Sequence, residues 1–414
     1  MRCSTHIFVL LLLFCTHPAH ADTEATTPDD VRRIVADALA DAATRTSLLN
    51  AEAGLGSNGR FFLASSDGNF RLSPSAEVQF RYRATFDADD DNHGFQMQRL
   101  RLNFRGHAIT PALRYRLHLR YRPNTGDFAF DDIYAEYTFD SGISLRLGQF
   151  KLPFDRENYA TSSTLTLLPD RSLLDTVFAL SRAPGAAIHY DAERWRLAAA
   201  ISNGRRAAGT DFSDPDIADI AITGRFEYRF AEAPWSQFDD QTAFPGDDFG
   251  ILLGLGAHWQ QGDATNSIPG SDGFTNLLAY TADIGIENDG WNLLAVFTGQ
   301  TIESNGPSFT DLGFMIQGGR FIHDQAELFA RYAHIFPDSD RTGGSDPFAA
   351  VTAGFNWYFI PHSQIIKLTA EITYFPDTQA DSDSLIGAPN TGSGLLPDDS
   401  AGQFALGFQL QFMF

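Results

Sequence analysis

Arginine recurs at alternate positions in three neighbouring stretches of this chain: Arg81 and Arg83; Arg99, Arg101 and Arg105; Arg114, Arg116 and Arg120. The positions between them are apolar, with Phe80, Tyr82 and Ala84 in the first stretch, Leu100, Leu102 and Phe104 in the second, and Tyr115, Leu117 and Leu119 in the third. Side chains of an extended strand point alternately to its two faces, so these guanidinium groups share one face and the apolar groups the other. A guanidinium stays charged and offers a fork of donors that matches the oxygens of a carboxylate or phosphate. From Arg71 to Arg122 there are ten arginines against five acids, four of them within Asp87–Asp91, although the whole chain carries a net charge of −22. A wall built this way attracts anions, and arginines lining a pore are one way to select them. His107 and His118 fall on the arginine face and read as polar residues of the same wall.

The rest of the chain supplies such a wall. Period-2 alternation runs from Ala76 to the C-terminus in sixteen segments, the later ones starting near Asp131, Ile143, Ala186, Trp195, Ile220, Phe249, Leu277, Trp291, Asp311, Ala326, Ala350, Ile366 and Phe404. Each is close to the roughly 9–11 residues that a tilted membrane strand needs. Links between them alternate in length. Short ones sit at 110–111, 140–142, 191–193, 288–290, 323–324 and 361–363, and long ones at 87–94, 123–130, 151–184, 203–219, 260–276, 300–310, 335–349 and 375–402. A soluble sandwich has no reason to sort its loops this way, whereas outer-membrane barrels have tight periplasmic turns and extended outer loops. One link, 231–248, is long where a short one is expected. The reading is an all-β, 16-stranded antiparallel transmembrane β-barrel with both ends of the chain on the periplasmic side. Trp195, Trp291, Trp357, Phe139 and Trp259 lie near strand ends, where aromatic girdles form.

Ahead of the barrel, residues 1–21 read as a signal peptide: Arg2, the apolar run Ile7–Phe14, and cleavage after Ala21. Cys3 and Cys15 both fall within it, leaving an exported chain without a thiol. Residues 22–58 form a short periplasmic helical segment, its helix running from Pro28 to Asn50 with Asp29 and Asp30 at the positive end of the dipole. Val31, Val35, Ala38, Ala42 and Leu49 suit a trimerising seam as well as a helix lying against the barrel base. The barrel then occupies residues 59–414.

Other chemistry is thin. Asp87–Asp91 lacks the glycine and glutamate spacing of a calcium loop and reads as a solvated acidic turn. The chain has no phosphate-cradling glycine loop, nucleophile elbow or metal-protease pair, so no cofactor and no metal is expected. The acidic balance argues against a nucleic-acid partner.

Gly148-Gln-Phe-Lys151 followed by Pro153-Phe154 and Glu157, then Leu168-Pro-Asp-Arg-Ser172, resembles the phosphate-selective porin O/P family of bacterial outer-membrane channels. Ala353–Phe359 with Pro361-His362, and Glu327–Tyr332, are similar to that family's wording. The resemblance implies that 151–184 is the third external loop, folded into the lumen to narrow it. It also implies an arginine ladder working with basic residues at that loop, for which Lys151, Arg156, Arg171 and Arg182 are the candidates. The expected function is passive diffusion of small anions, phosphate or polyphosphate, across the outer membrane. The alternative is a general, weakly selective porin in which Asp155, Glu157, Asp170 and Asp175 oppose the arginines across the lumen. A barrel enzyme built on His189, Ser202 or Ser363, or an adhesin, is a remote third. Expected partners are outer-membrane lipid, the anionic solute, two further copies of the chain, and the barrel-assembly machinery acting on the last strand. That strand alternates Phe404, Leu406, Phe408, Leu410 and Phe412 and ends on Phe414.

Overall fold

The computed structural model describes residues 52–55, 61–86, 91–122, 125–214, 217–262, 274–304, 308–341, 344, 346–377, 385–386, 394–396 and 401–414. The signal peptide, the helix at 28–50 and most of the acidic turn at 87–91 lie outside these residues.

A two-strand hairpin comes first, β1 (Glu52–Leu55) and β2 (Phe61–Ala64), and β2 pairs onto the start of β3. Then follow β3 (Arg71–Phe86), β4 (Asp91–Ala108), β5 (Thr110–Arg122), β6 (Asp127–Thr138), β7 (Ile143–Lys151), β8 (Arg182–Asp191), β9 (Trp195–Ser202) and β10 (Ile220–Phe230). The second half holds β11 (Gly250–Gln261), β12 (Phe274–Asn288), β13 (Trp291–Ser304), β14 (Phe309–His323), β15 (Ala326–Phe336), β16 (Phe348–Ile360), β17 (Ser363–Phe375) and β18 (Gln403–Met413). From β3 to β18 each strand pairs antiparallel with the next, and β18 returns to β3, with Phe404 opposite Phe86 and Met413 opposite Glu77. Phe414 adds a last rung, exchanging both backbone hydrogen bonds with Ala76. Sixteen strands therefore close on themselves, and closure removes the edges on which a sheet this long would otherwise aggregate.

Alternation decides which face looks where. On β18, Gln403, Gln409 and Gln411 are buried inside while Phe404, Phe408 and Phe412 are exposed outside. Around the whole circumference large apolar groups such as Phe80, Leu117, Ile188, Leu255, Phe297, Ile316, Leu328 and Phe355 face outward. Water would not tolerate such a belt, since each such side chain is worth roughly 1.5–3 kcal/mol when withdrawn from it. Lipid accepts it, and a closed barrel satisfies its backbone internally as a membrane demands. No helix among the described residues is long and apolar enough to cross a membrane.

Part of the lumen is filled by apolar side chains. The segment 152–181 leaves β7, folds into the barrel and carries helix α1 (Leu173–Phe178). Leu174, Val177 and Phe178 pack there against inward-facing Leu277, Val296, Met315 and Ile335 of β12 to β15. Two wall glycines make room. A Cβ on Gly256 would stand 2.2 Å from the Phe154 carbonyl oxygen, and one on Gly313 would stand 2.8 Å from the Phe178 ring.

Candidate functional site

The inward segment starts where the sequence stops supporting a strand. Leu152 donates one more backbone bond, to Ser181, and Pro153 then ends the ladder. Lys151 and Arg182, the last and first residues of the flanking strands, sit opposite each other in register. Asp155 caps the next turn by accepting from the Asn158 N–H. Burial, reinforced by nearby Asp175, pushes the Asp155 carboxyl up to about 6. Glu157 accepts from Ser172 N (2.9 Å) and from the Ser172 hydroxyl, tying the two limbs of the loop together just ahead of α1.

The far limb is pinned to the wall through Asp170. Its carboxylate takes Arg81 at 2.8 and 2.9 Å and Arg83 at 2.9 Å, with Arg99 at 3.9 Å. Burial works against this charge, but Arg81 and Arg83 hold the Asp170 carboxyl below its ordinary range. Further wall donors reach the loop backbone: Asn356 to the Leu167 carbonyl (3.0 Å), Lys367 to Thr166 (2.9 Å), Gln411 to Thr164 (3.0 Å) and Arg331 to Asp170 (2.8 Å). From the next long loop, Arg205 and Arg206 donate to the carbonyls of Val177, Thr176 and Ala179.

What the loop leaves open lies against β4 to β10. A cavity of about 610 Å³ runs there, lined by ten basic and five acidic side chains. Its electrostatic centre is a β-bulge in β6. His118 pairs with Asp132 and Leu119 with Phe130, so Asp131 is the extra residue and both carboxylates turn inward, 4% and 2% exposed. Asp131 receives Arg120 at 3.1 Å, with Arg101 and Arg182 at 3.9 and 3.8 Å. Asp132 receives Arg182 at 2.6 Å, His118 at 3.2 Å and Arg116 at 3.6 Å. With Glu77, which takes Arg101 at 2.9 Å, three carboxylates thus face four guanidinium groups and leave a net positive charge. Lys151, over the carbonyls of Asn158 and Thr161, adds a further amine donor beside them.

The arginines picked out in the sequence divide into two groups. Arg101, Arg114 and Arg116 line the cavity, as do Lys151, Arg156, Arg171 and Arg182. Arg105 and Arg120 stand on the same face with exposed side chains. Arg81, Arg83 and Arg99 also face inward, but they end on Asp170; Arg81 is only 1% exposed. Arg156 donates to the Phe238 carbonyl at 2.8 Å, and Arg171 to those of Glu157 and Thr161.

Sequence reasoning passed over three features. Asp131 and Asp132 look like the start of a strand, and nothing in a plain alternation marks the bulge. Arg146, Arg196 and Arg225 also line the cavity from β7, β9 and β10. They occur singly rather than as a ladder: Arg146 pairs with Glu136 at 2.7 Å, and Arg225 with Asp283 at 2.8 Å. The third is the apolar packing inside the barrel, although Leu293–Phe297 is apolar on both faces and in that sense announces it.

Residues 72–241 match the family model described as phosphate-selective porin O and P, which bears out the resemblance drawn from the sequence. No curated protein sequence matches the chain. Among solved structures, the barrel is similar to an anion-selective porin from Comamonas acidovorans (TM-score 0.60, 13% identity, 83% of this chain and 99% of that one). It is also similar to Salmonella typhi OmpF in complex with daunomycin (TM-score 0.57, 14% identity, 83% and 98%). A third match is the outer-membrane channel DcaP of Acinetobacter baumannii (TM-score 0.54, 12% identity, 85% and 99%). At these identities the likeness is one of fold.

Proposed function

Taking this chain as an outer-membrane porin, a channel rather than an enzyme, we propose that it conducts small anions, phosphate or polyphosphate among them, by passive diffusion along the basic side of its lumen. The carrying observation is the cavity lining, ten basic side chains against five acidic, in a chain whose overall charge is strongly negative. The solute enters at the long-loop end, passes between the inward segment and β4 to β9, and meets the cluster of Arg116, Lys151, Arg171 and Arg182. Each offers charge-assisted donors, but most of those donors are already shared with a carboxylate or carbonyl. Sharing keeps each stop weak, which a conducting pathway requires.

In this reading the short-turn end faces the periplasm, the signal peptide is removed after Ala21, and three chains associate. The strand ending at Phe414 is the assembly signal. The trimer follows one fold neighbour, an outer-membrane protein of Vibrio cholerae described in a trimer form (TM-score 0.51, 12% identity, 82% of this chain and 99% of that one). A second reading, a general porin with a transverse field, draws on Asp132, Glu136 and Glu227, which share the cavity with the arginines. Reversal potentials in a salt gradient separate the two, and phosphate block of chloride current then tests the solute. An anion-selective channel blocked by phosphate supports the proposal, while a near-zero reversal potential favours the general porin.

A further inference from the structure

The link 231–248 is the one connection at the short-turn end that is far longer than a turn, and it does not hang outside the barrel. It turns inward through a 3-10 helix, Trp235–Asp239, and buries Ala233, Phe238, Gln241 and Phe244. Inside the barrel it meets the segment that entered from the opposite end. Gln241 N donates to the Leu165 carbonyl (3.0 Å), while the Gln241 side-chain oxygen accepts from Leu167 N (3.3 Å) and from Gln317 of the wall (2.9 Å). The Phe238 carbonyl takes the Arg156 guanidinium at 2.8 Å. Trp235 is fixed by its indole N–H to the Glu193 carbonyl (3.1 Å) and by Arg196 lying 4.0 Å over its ring.

We propose that this link is a second selectivity element: it clamps the inward loop at Gln241 and forms one side of the solute's exit with Trp235, Phe238 and Asp239, all of which line the cavity. The two ends of the barrel thus contribute to a single narrow passage. Of the three exit residues only Asp239 carries charge, and its side chain is exposed to the cavity rather than committed to the packing. A fixed negative charge where the basic path ends lowers the attraction there and favours release of an anion. This inference rests on the porin reading of the barrel but not on the sign of its selectivity.

The test is planar-bilayer recording of the full-length purified porin and two variants. Asp239→Lys places opposite charge at the exit without disturbing a buried contact. Its reversal potential in a tenfold KCl gradient is expected to move toward anions, whatever the sign of the parent's selectivity. Trp235→Ala with Gln241→Ala frees the clamp, and single-channel conductance is expected to rise by twofold or more. An unchanged reversal potential in the lysine variant overturns the proposal even if the double variant fails to fold. Parent-like conductance in a folded double variant, with only a lower melting temperature, reduces the link to a structural strap and overturns it too. A parent channel that prefers cations refutes the anion reading and leaves this one to be decided by the same two variants.

Discussion

Asp170 grips both arms of the Arg81 guanidinium, with Nη1 to Oδ2 at 2.8 Å and Nη2 to Oδ1 at 2.9 Å, on side chains 13% and 0% exposed respectively. Arg81, an arginine of the ladder, therefore holds the inward loop in place. A buried bidentate pair gives little net stability compared with an apolar equivalent, but removing one member strands the other's charge.

Asp170→Asn should lower the stability of the loop's seat by about 3–5 kcal/mol, because Arg81 loses its bidentate carboxylate and Arg83 is left with Glu371 at 3.2 Å. Single-channel conductance should rise and become noisier as the loop leaves the lumen. Bilayer recording beside thermal melting of the detergent-solubilised barrel checks both effects.

Arg116→Ala and Arg182→Ala should reduce anion preference, since both guanidinium groups line the cavity. Arg81→Ala should instead destabilise the loop while changing selectivity chiefly through pore width. Reversal potentials of the three single variants, measured at low salt where screening is weakest, distinguish the two roles.

Asp131→Asn combined with Asp132→Asn removes two negative charges from the bulge while leaving Arg101, Arg116, Arg120 and Arg182 in place. Anion preference should increase and phosphate should dwell longer, seen as stronger block of chloride current. The barrel should melt at a lower temperature, because Arg116, Arg120 and Arg182 lose their carboxylate partners and only Arg101 keeps one, Glu77 at 2.9 Å.

Burial pushes the Asp240 carboxyl in the link 231–248 up to about 7, against the opposing pull of the Thr242 N–H, Gln364 and Lys367. A carboxyl raised in the folded state holds its proton there while the unfolded chain has lost it. Its contribution to stability is therefore greatest at low pH and declines as pH rises from about 4 through 7. Asp240→Asn should flatten this part of the profile, which melting temperatures of parent and variant between pH 4.5 and 8 can show.

The barrel itself was legible in the residues. Alternation from Ala76 onward and the sorting of link lengths follow directly from lipid outside and polar groups inside; all sixteen strands appear, most within a few residues of their expected starts, although β4 begins at Asp91, inside the stretch 87–94 read as a loop, and β3 begins five residues early at Arg71. The strand before the inward segment and its end at Pro153 could also be read, because proline removes a ladder donor. Pairing partners could not. Nothing local in Asp170 says that it meets Arg81 across the lumen, since that contact spans 89 residues and depends on where the loop comes to rest. The bulge at Asp131 shifts register by one residue, and a period-2 pattern has no symbol for such a shift. The link at 231–248 stood out only by its length. Its inward fold depends on Gln241 and Phe238 finding partners on a segment that enters from the other end.

The most direct test of the account is the zero-current potential of the reconstituted channel in a tenfold KCl gradient, parent beside Arg116→Ala with Arg182→Ala. The account predicts a parent potential of the sign given by chloride-preferring channels, reduced toward zero in the double variant. A parent potential of the opposite sign, or one that the loss of both arginines leaves unmoved, would contradict it.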